Sequence, residues 1–335
     1  CLSAISGTFT IDPALPTAGT NFASFTDFAA EVNLCGISGP VVVNVKEGVY
    51  EEHIYFDSIK NSSAINTIII QPAPTNTAAV EITDSATGTA DNYVVRFNNA
   101  DYITIDGIRI TGRGASYSRA IEFAGSNSNI TVQNCIISAA SDVTTTSTNH
   151  AVIYDNTGTA NMNHNITFDG NQILNGSYGM YMYGSSSTVR ETGLTITNNV
   201  IKNHYYMGVA SYYQEGNNIS GDSIVSKPGY TTNYGLYNYY SLSSSVVGNY
   251  IHVYGSSTNY ALYNYYSVCT ASSPLMIVNN MVVADNSSGT IYGIAVYNND
   301  YTNVYYNSVL VSSGSATGGR GLYLYSTSTT NGNIE

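Results

Sequence analysis

Carboxylates stand beside strand-like runs at Asp106, Glu122 and Asp169, with Arg109 and Arg119 close by. Two carboxylates held about 5–10 Å apart hydrolyse a glycosidic bond. Several acids around a calcium ion, with a basic residue as proton acceptor, serve an eliminating lyase. Neither set is assembled by spacing here. Glu122 and Arg109 are placed to face one another across neighbouring strands, which reads as a structural ion pair. Lys202 and His204, in IKNHYY, read as an exposed loop. The five histidines (53, 150, 164, 204, 252) share no spacing that makes a zinc set. No catalytic residue, metal or cofactor is therefore assigned.

Tyrosine is the residue type that repeats with a pattern. The chain holds 31 tyrosines and no tryptophan in 335 residues, and it writes YGLYNYYS at 234–241 and YALYNYYS at 260–267. Alternation along a strand sends neighbouring side chains to opposite faces. One face then carries Leu236, Asn238, Leu262, Asn264, Leu322 and Leu324. The other carries Tyr181, Tyr183, Tyr212, Tyr237, Tyr239, Tyr263, Tyr265, Tyr297, Tyr323 and Tyr325. Such a phenol stripe has three readings. Stacking stabilises the fold by about 0.5–1.5 kcal/mol per aromatic pair. Rigid amphipathic rings also suit a protein interface. Stacking on sugar rings is the third, and the lack of Trp weighs against it.

The elements that must position these residues repeat. One phrase recurs as YITIDGIRI (102–110), NITVQNCII (129–137), NITFDGNQI (165–173), LTITNNVI (194–201), SVVGNYIHV (245–253), MIVNNMVV (276–283) and NVYYNSVLV (303–311). A second phrase alternates with it, from YVVRF (93–97) to GLYLYS (321–326). Two short strands per repeat, joined by Gly, Ser, Asn and Thr turns, predict an all-β right-handed parallel β-helix of roughly ten coils. Asn134, Asn171, Asn199, Asn249, Asn280 and Asn307 are expected to stack as an amide ladder. The region 218–225 reads as a less regular coil.

The first 56 residues form a separate cap and first coil, with 57–335 as the β-helix. Phe22, Phe25, Ala29 and Val32 fall at helical spacing, predicting a helix over about 20–34 with Thr20, Asn21 or Ser24 as its cap. The far end shows no comparable cap, so either a partner covers it or the protein continues.

Net charge is −12 and only 10% of residues are charged. A phosphate backbone is repelled, so nucleic acid is not expected as a partner. No apolar run reaches the length of a membrane span. Cys1 and Cys35 are candidates for a disulfide in an oxidising compartment, while Cys135 reads as a buried thiol. A lipid-bearing Cys1 is the alternative.

SGTFTID (6–12), NFASFTDF (21–28), GISGPVVVNV (36–45) and EGVYEEHI (47–54) resemble the opening of large β-helix proteins on the surface of Bacteroidetes bacteria. Through its repeats the rest of the chain is similar to the pectin-lyase-like superfamily, which specifies fold only. The first resemblance implies an extracellular, cell-surface protein delivered by type IX secretion. It also implies short O-glycosylation motifs, matched at Ser58, Ser85 and Ser223. EGVYEE is similar to the first coil of pectin methylesterases, yet their Gln-Asp, Asp and Arg set is not recognisable downstream. The Asn-Thr-Asp, Asp-Asp, Gly-His-Gly and Arg-Ile-Lys series of polygalacturonases is absent. The expectation is a non-catalytic adhesive rod that associates with itself or with other surface proteins through its tyrosines. A polysaccharide-binding or polysaccharide-degrading protein acting on glycans is the alternative.

Overall fold

The computed structural model describes residues 3–156, 158, 162–286, 288–314 and 317–327. Among them the chain winds as a right-handed parallel β-helix with three parallel sheets, of 14, 10 and 10 strands. Each coil contributes one short strand to each sheet, as in Ile103–Asp106, Arg109–Gly112 and Ile121–Ala124.

The count is three strands per coil, where the sequence pattern suggested two. The recurrent phrase bends in its middle. Ile130–Gln133 lies on the first sheet and Ile136–Ser138 on the second, with Asn134 at the corner in a left-handed conformation (φ 54°). The same corner is taken by Gly107, Gly170, Asn198, Gly221, Gly248, Asn279 and Tyr306, all with φ between 54 and 69°. Glycine and asparagine tolerate this region best, and their recurrence explains where the phrase breaks.

The residue after that corner points inward and builds the ladder. The Oδ1 of Asn199 accepts from the backbone N and Nδ2 of Asn171, at 2.9 and 3.0 Å. Asn280 does the same for Asn249, and Asn307 for Asn280. Between Asn199 and Asn249 the rung is Asp222, in a coil whose strand Ser223–Ser226 shifts register against Lys202–His204. Asn134 is not a rung. It occupies the corner itself and donates to Asp106 at 2.8 Å, while Cys135 takes the ladder position and its N–H donates to Asn171. The one-residue offset arises because Asn134 sits two before Ile136, whereas Asn171, Asn199, Asp222, Asn249 and Asn280 sit two before the buried Ile or Val of their strands.

The interior is a continuous column of Ile, Val and Leu, with negligible exposure in all but the last described coil. Phe56, Phe97 and Phe123 stack inside the N-terminal coils, centroids 5.8 and 5.3 Å apart. Further along, the same inward column carries Met182, Ser211, Asn238, Asn264 and Val296. Leu236, Asn238, Leu262 and Asn264 are buried completely. Leu322 and Leu324 are in register with buried Ile294 and Val296 but stand 52% and 47% exposed, because no described coil covers them.

The helix, α1, runs Phe25–Cys35, later than the sequence suggested, because Asn21–Phe22 pairs with Thr10–Ile11 as a short strand. Ser24 is its N-cap and accepts from the Asp27 N–H at 3.0 Å. Phe25, Phe28, Ala29 and Val32 turn down onto the first coil and cover its open end. Cys35 is disulfide-bonded, Cys135 and Cys269 are buried free thiols, and Cys1 lies outside the described residues. No described helix is long and apolar enough to cross a membrane.

Candidate functional site

The tyrosines lie on the outer face of the third sheet, and strand register sorts them into columns. Tyr154, Tyr181, Tyr237, Tyr263 and Tyr323 share one register position, with Ala210 and Ala295 filling the remaining coils. Tyr183, Tyr212, Tyr239, Tyr265, Tyr297 and Tyr325 form the next. Two further columns flank these. Tyr178, Tyr234, Tyr260 and Tyr292 stand on one side, and Tyr213, Tyr240 and Tyr266 occupy the corner on the other. The sequence reading found a stripe where the molecule carries a broad face. The outer columns are written in the repeat itself, as the first and the last Tyr of YGLYNYY, but they fall outside the alternation of the strand centre.

Ring geometry follows the coil spacing of about 4.7–4.9 Å. Across the two coils that share the octapeptide but for Gly235 and Ala261, Tyr234 stacks on Tyr260 and Tyr240 on Tyr266, each at 5.2 Å and 6° between planes. Tyr237 and Tyr263 lie 5.1 Å apart at 15°, and Tyr260 meets Tyr292 at 4.5 Å and 2°. Rings piled along the rod axis cover one another's faces. Other pairs pack edge-on, as for Tyr178 with Tyr206 and Tyr212 with Tyr237. There Tyr178, Met207 and Ala210 are buried beneath neighbouring rings in a hydrophobic cluster outside the main core. Burial raises the phenols of Tyr181, Tyr212, Tyr234, Tyr237 and Tyr263 well above the ordinary value. These five phenols stay protonated and neutral at physiological pH.

The strand stretches 178–183, 207–213, 233–240, 259–266 and 291–298 contain no Asp, Glu, Lys or Arg, and in the next coil Arg320 continues the Tyr292 column and lies over Tyr292 and Tyr323. Charge begins where the face ends. In earlier coils the Tyr154 position is taken by Glu122 and Arg96. Glu122 accepts from Arg96 Nε at 2.5 Å and from Arg119 Nη1 at 2.9 Å. Arg96 lies over Tyr93 and Arg119 over Tyr154, at 3.8 and 3.4 Å from the ring centroids.

The polar residues singled out by sequence are dispersed. Glu122 pairs with Arg96 and Arg119, whereas Arg109 stands beside Glu81 on the second sheet. The expected Glu122–Arg109 contact fails because the two residues belong to different sheets. Asp106 accepts from Gln133 and Asn134, and Asp169 from Thr197 and Asn198, so both act as corner braces. Lys202 is exposed, but His204 is fully buried inside its strand, not looped out, and burial holds its pKa down to about 3. The other histidines have separate partners: Asp84 for His53, Ser118 for His150, Thr192 for His164 and Asp285 for His252. Ser58 and Ser85 are exposed, each with its N–H on the preceding Asp; Ser223 follows the buried Asp222 within a strand.

A cavity of about 670 Å³ opens between the second and third sheets, lined by Thr111, Arg113, Ser138, Asp142, His150 and Asn175 among others. Asp142 is the one carboxylate in its lining, so the cavity does not hold the carboxylate pair that glycosidic hydrolysis needs.

No protein-family model matches the sequence, and no curated protein matches it. Solved structures similar to the chain include a lacto-N-biosidase from Eubacterium ramulus, at 10% identity and a TM-score of 0.50, covering 95% of this chain and 68% of that one. PfbA, a surface adhesin of Streptococcus pneumoniae, is similar at 13% identity and 0.48, covering 90% and 86%. Rice weevil pectin methyl esterase is similar at 12% identity and 0.40, covering 86% and 80%. At these identities the likeness concerns the fold alone, a parallel β-helix.

Proposed function

We propose that this chain is a non-catalytic extracellular rod that associates with a second copy of itself through its tyrosine face, as part of an adhesive or fibrous surface assembly. The supporting observation is the uncharged outer face of 178–298, with tyrosines in four adjacent columns. Copies carrying a net charge of −12 repel one another over most of their surface. This face is where two can approach without opposing like charges. An isologous contact then sets phenol edges against phenol edges and removes an exposed apolar patch. Delivery to a Bacteroidetes cell surface by type IX secretion belongs to the same proposal and rests on the resemblance of residues 6–56.

Glycan binding by stacking draws less support, because the parallel rings offer their faces to each other. The test is the triple change of Tyr239, Tyr265 and Tyr297 to Ser. Self-association measured by sedimentation should disappear while the β-rich circular dichroism stays unchanged. Association that survives in the folded triple variant refutes the proposal.

A further inference from the structure

The stacked phenols also have a covalent chemistry of their own. We propose that Tyr240 and Tyr266 are a site of oxidative cross-linking, joined as dityrosine when a peroxide-driven one-electron oxidant reaches the rod. The pair lies in the corner following the third sheet, in consecutive coils, with centroids 5.2 Å apart and planes within 6°. Both residues hold left-handed backbone, φ 52° and 58°, which is uncommon for an aromatic side chain. Their backbones are tied coil to coil, Tyr240 N–H to Tyr265 and Tyr266 N–H to Tyr297. Two rings are thus held in register at one margin of the face, within reach of solvent on their outer edges. Tyr237 with Tyr263 lies in the middle of the face, flanked by rings on both sides, and Tyr234 with Tyr260, at the other margin, is more deeply buried.

Each phenol gives one electron to the oxidant and its hydroxyl proton to water. The unpaired electron of the resulting phenoxyl spreads to the ring carbons ortho to oxygen. Two such carbons, one from each ring, form the new C–C bond, and their hydrogens then move to the oxygens and restore two phenols. Two phenols and one hydrogen peroxide thereby yield one biphenol and two waters, with a haem peroxidase as carrier of the oxidising equivalents. The bond ties consecutive coils across 26 residues and limits the unfolded chain as a disulfide does. This inference stands whether or not the face also docks a second copy.

The experiment treats dilute purified protein with a haem peroxidase and hydrogen peroxide, then maps linked peptides by mass spectrometry and follows dityrosine fluorescence. The expected product is a monomer containing a 240–266 linked peptide short of two hydrogen atoms, with a higher melting temperature. Tyr240→Phe and Tyr266→Phe keep the ring stack but lack the phenol, and each should abolish that peptide. Tyr306→Phe, at a site 88% exposed and outside the stacks, should leave its yield unchanged. Absence of the 240–266 peptide, cross-links formed only between chains, or an undiminished yield in the two stack variants would overturn the proposal.

Discussion

At the scale of single residues, Asp222 is the rung that departs from the ladder. Its Oδ1 accepts from the N–H and Nδ2 of Asn199, but its buried Oδ2 has no hydrogen-bond partner. Asparagine rungs use that second position to donate to a carbonyl below, as Asn249 does to Ile219. Burial is the main cause that lifts the Asp222 carboxyl to about 7, against the pull of Asn199. A carboxyl raised in the folded state contributes its stability below the unfolded value near 4, and that contribution is lost as pH rises through 7. Asp222→Asn should therefore stabilise the protein at pH 7 and above by about 1–3 kcal/mol. The gain should shrink towards pH 4, as read by denaturant titration at each pH. His204 has the opposite sign. With a folded pKa near 3, its neutral form is favoured above about 6.5, and stability drains as pH falls from there towards 3. His204→Leu should move the acid-unfolding midpoint to lower pH.

These two residues also mark the limits of what the sequence discloses. The Asn rungs were legible because a buried amide must satisfy itself along the axis, which repeats the same residue at the same register. Asp222 escaped because a carboxylate in that position breaks the repeat of residue type while keeping the geometry. Asn134 was misplaced because the corner and the rung both favour asparagine, and only the strand register distinguishes them. His204 looked exposed because a polar run, KNH, hides an inward-facing residue in its strand.

At the scale of elements, the helix Phe25–Cys35 closes the N-terminal end of the core. Its amphipathic spacing announced it, but its start was set by the pairing of Asn21–Phe22, which no local pattern reveals. Phe28 is fully buried against Phe22 and Phe56, at 5.3 and 6.4 Å between rings. Phe28→Ala should cost about 3–5 kcal/mol of stability. Hydrogen exchange should then show loss of protection first in Ile5–Ile11 and Ile54–Phe56, the strands that α1 packs against. The coils themselves were countable from sequence, but their division into three strands depends on one left-handed residue per corner.

At the scale of the whole molecule, aromatic side chains change sides along the rod. Phenylalanines stack inside the N-terminal coils, and tyrosines stack outside the later ones. The inner stack fills a core. The outer one lies on a surface that water already reaches, so its breadth and neutrality call for a contact. The doubled octapeptide made the strand-centre columns visible, whereas the flanking columns emerge only once the coils are stacked. Sedimentation velocity of the wild type beside the Tyr239, Tyr265 and Tyr297 to Ser triple variant tests this most directly. The account predicts concentration-dependent association for the wild type and a folded monomer for the variant. Association equal in the two, or a wild type that stays monomeric at every concentration, would contradict it.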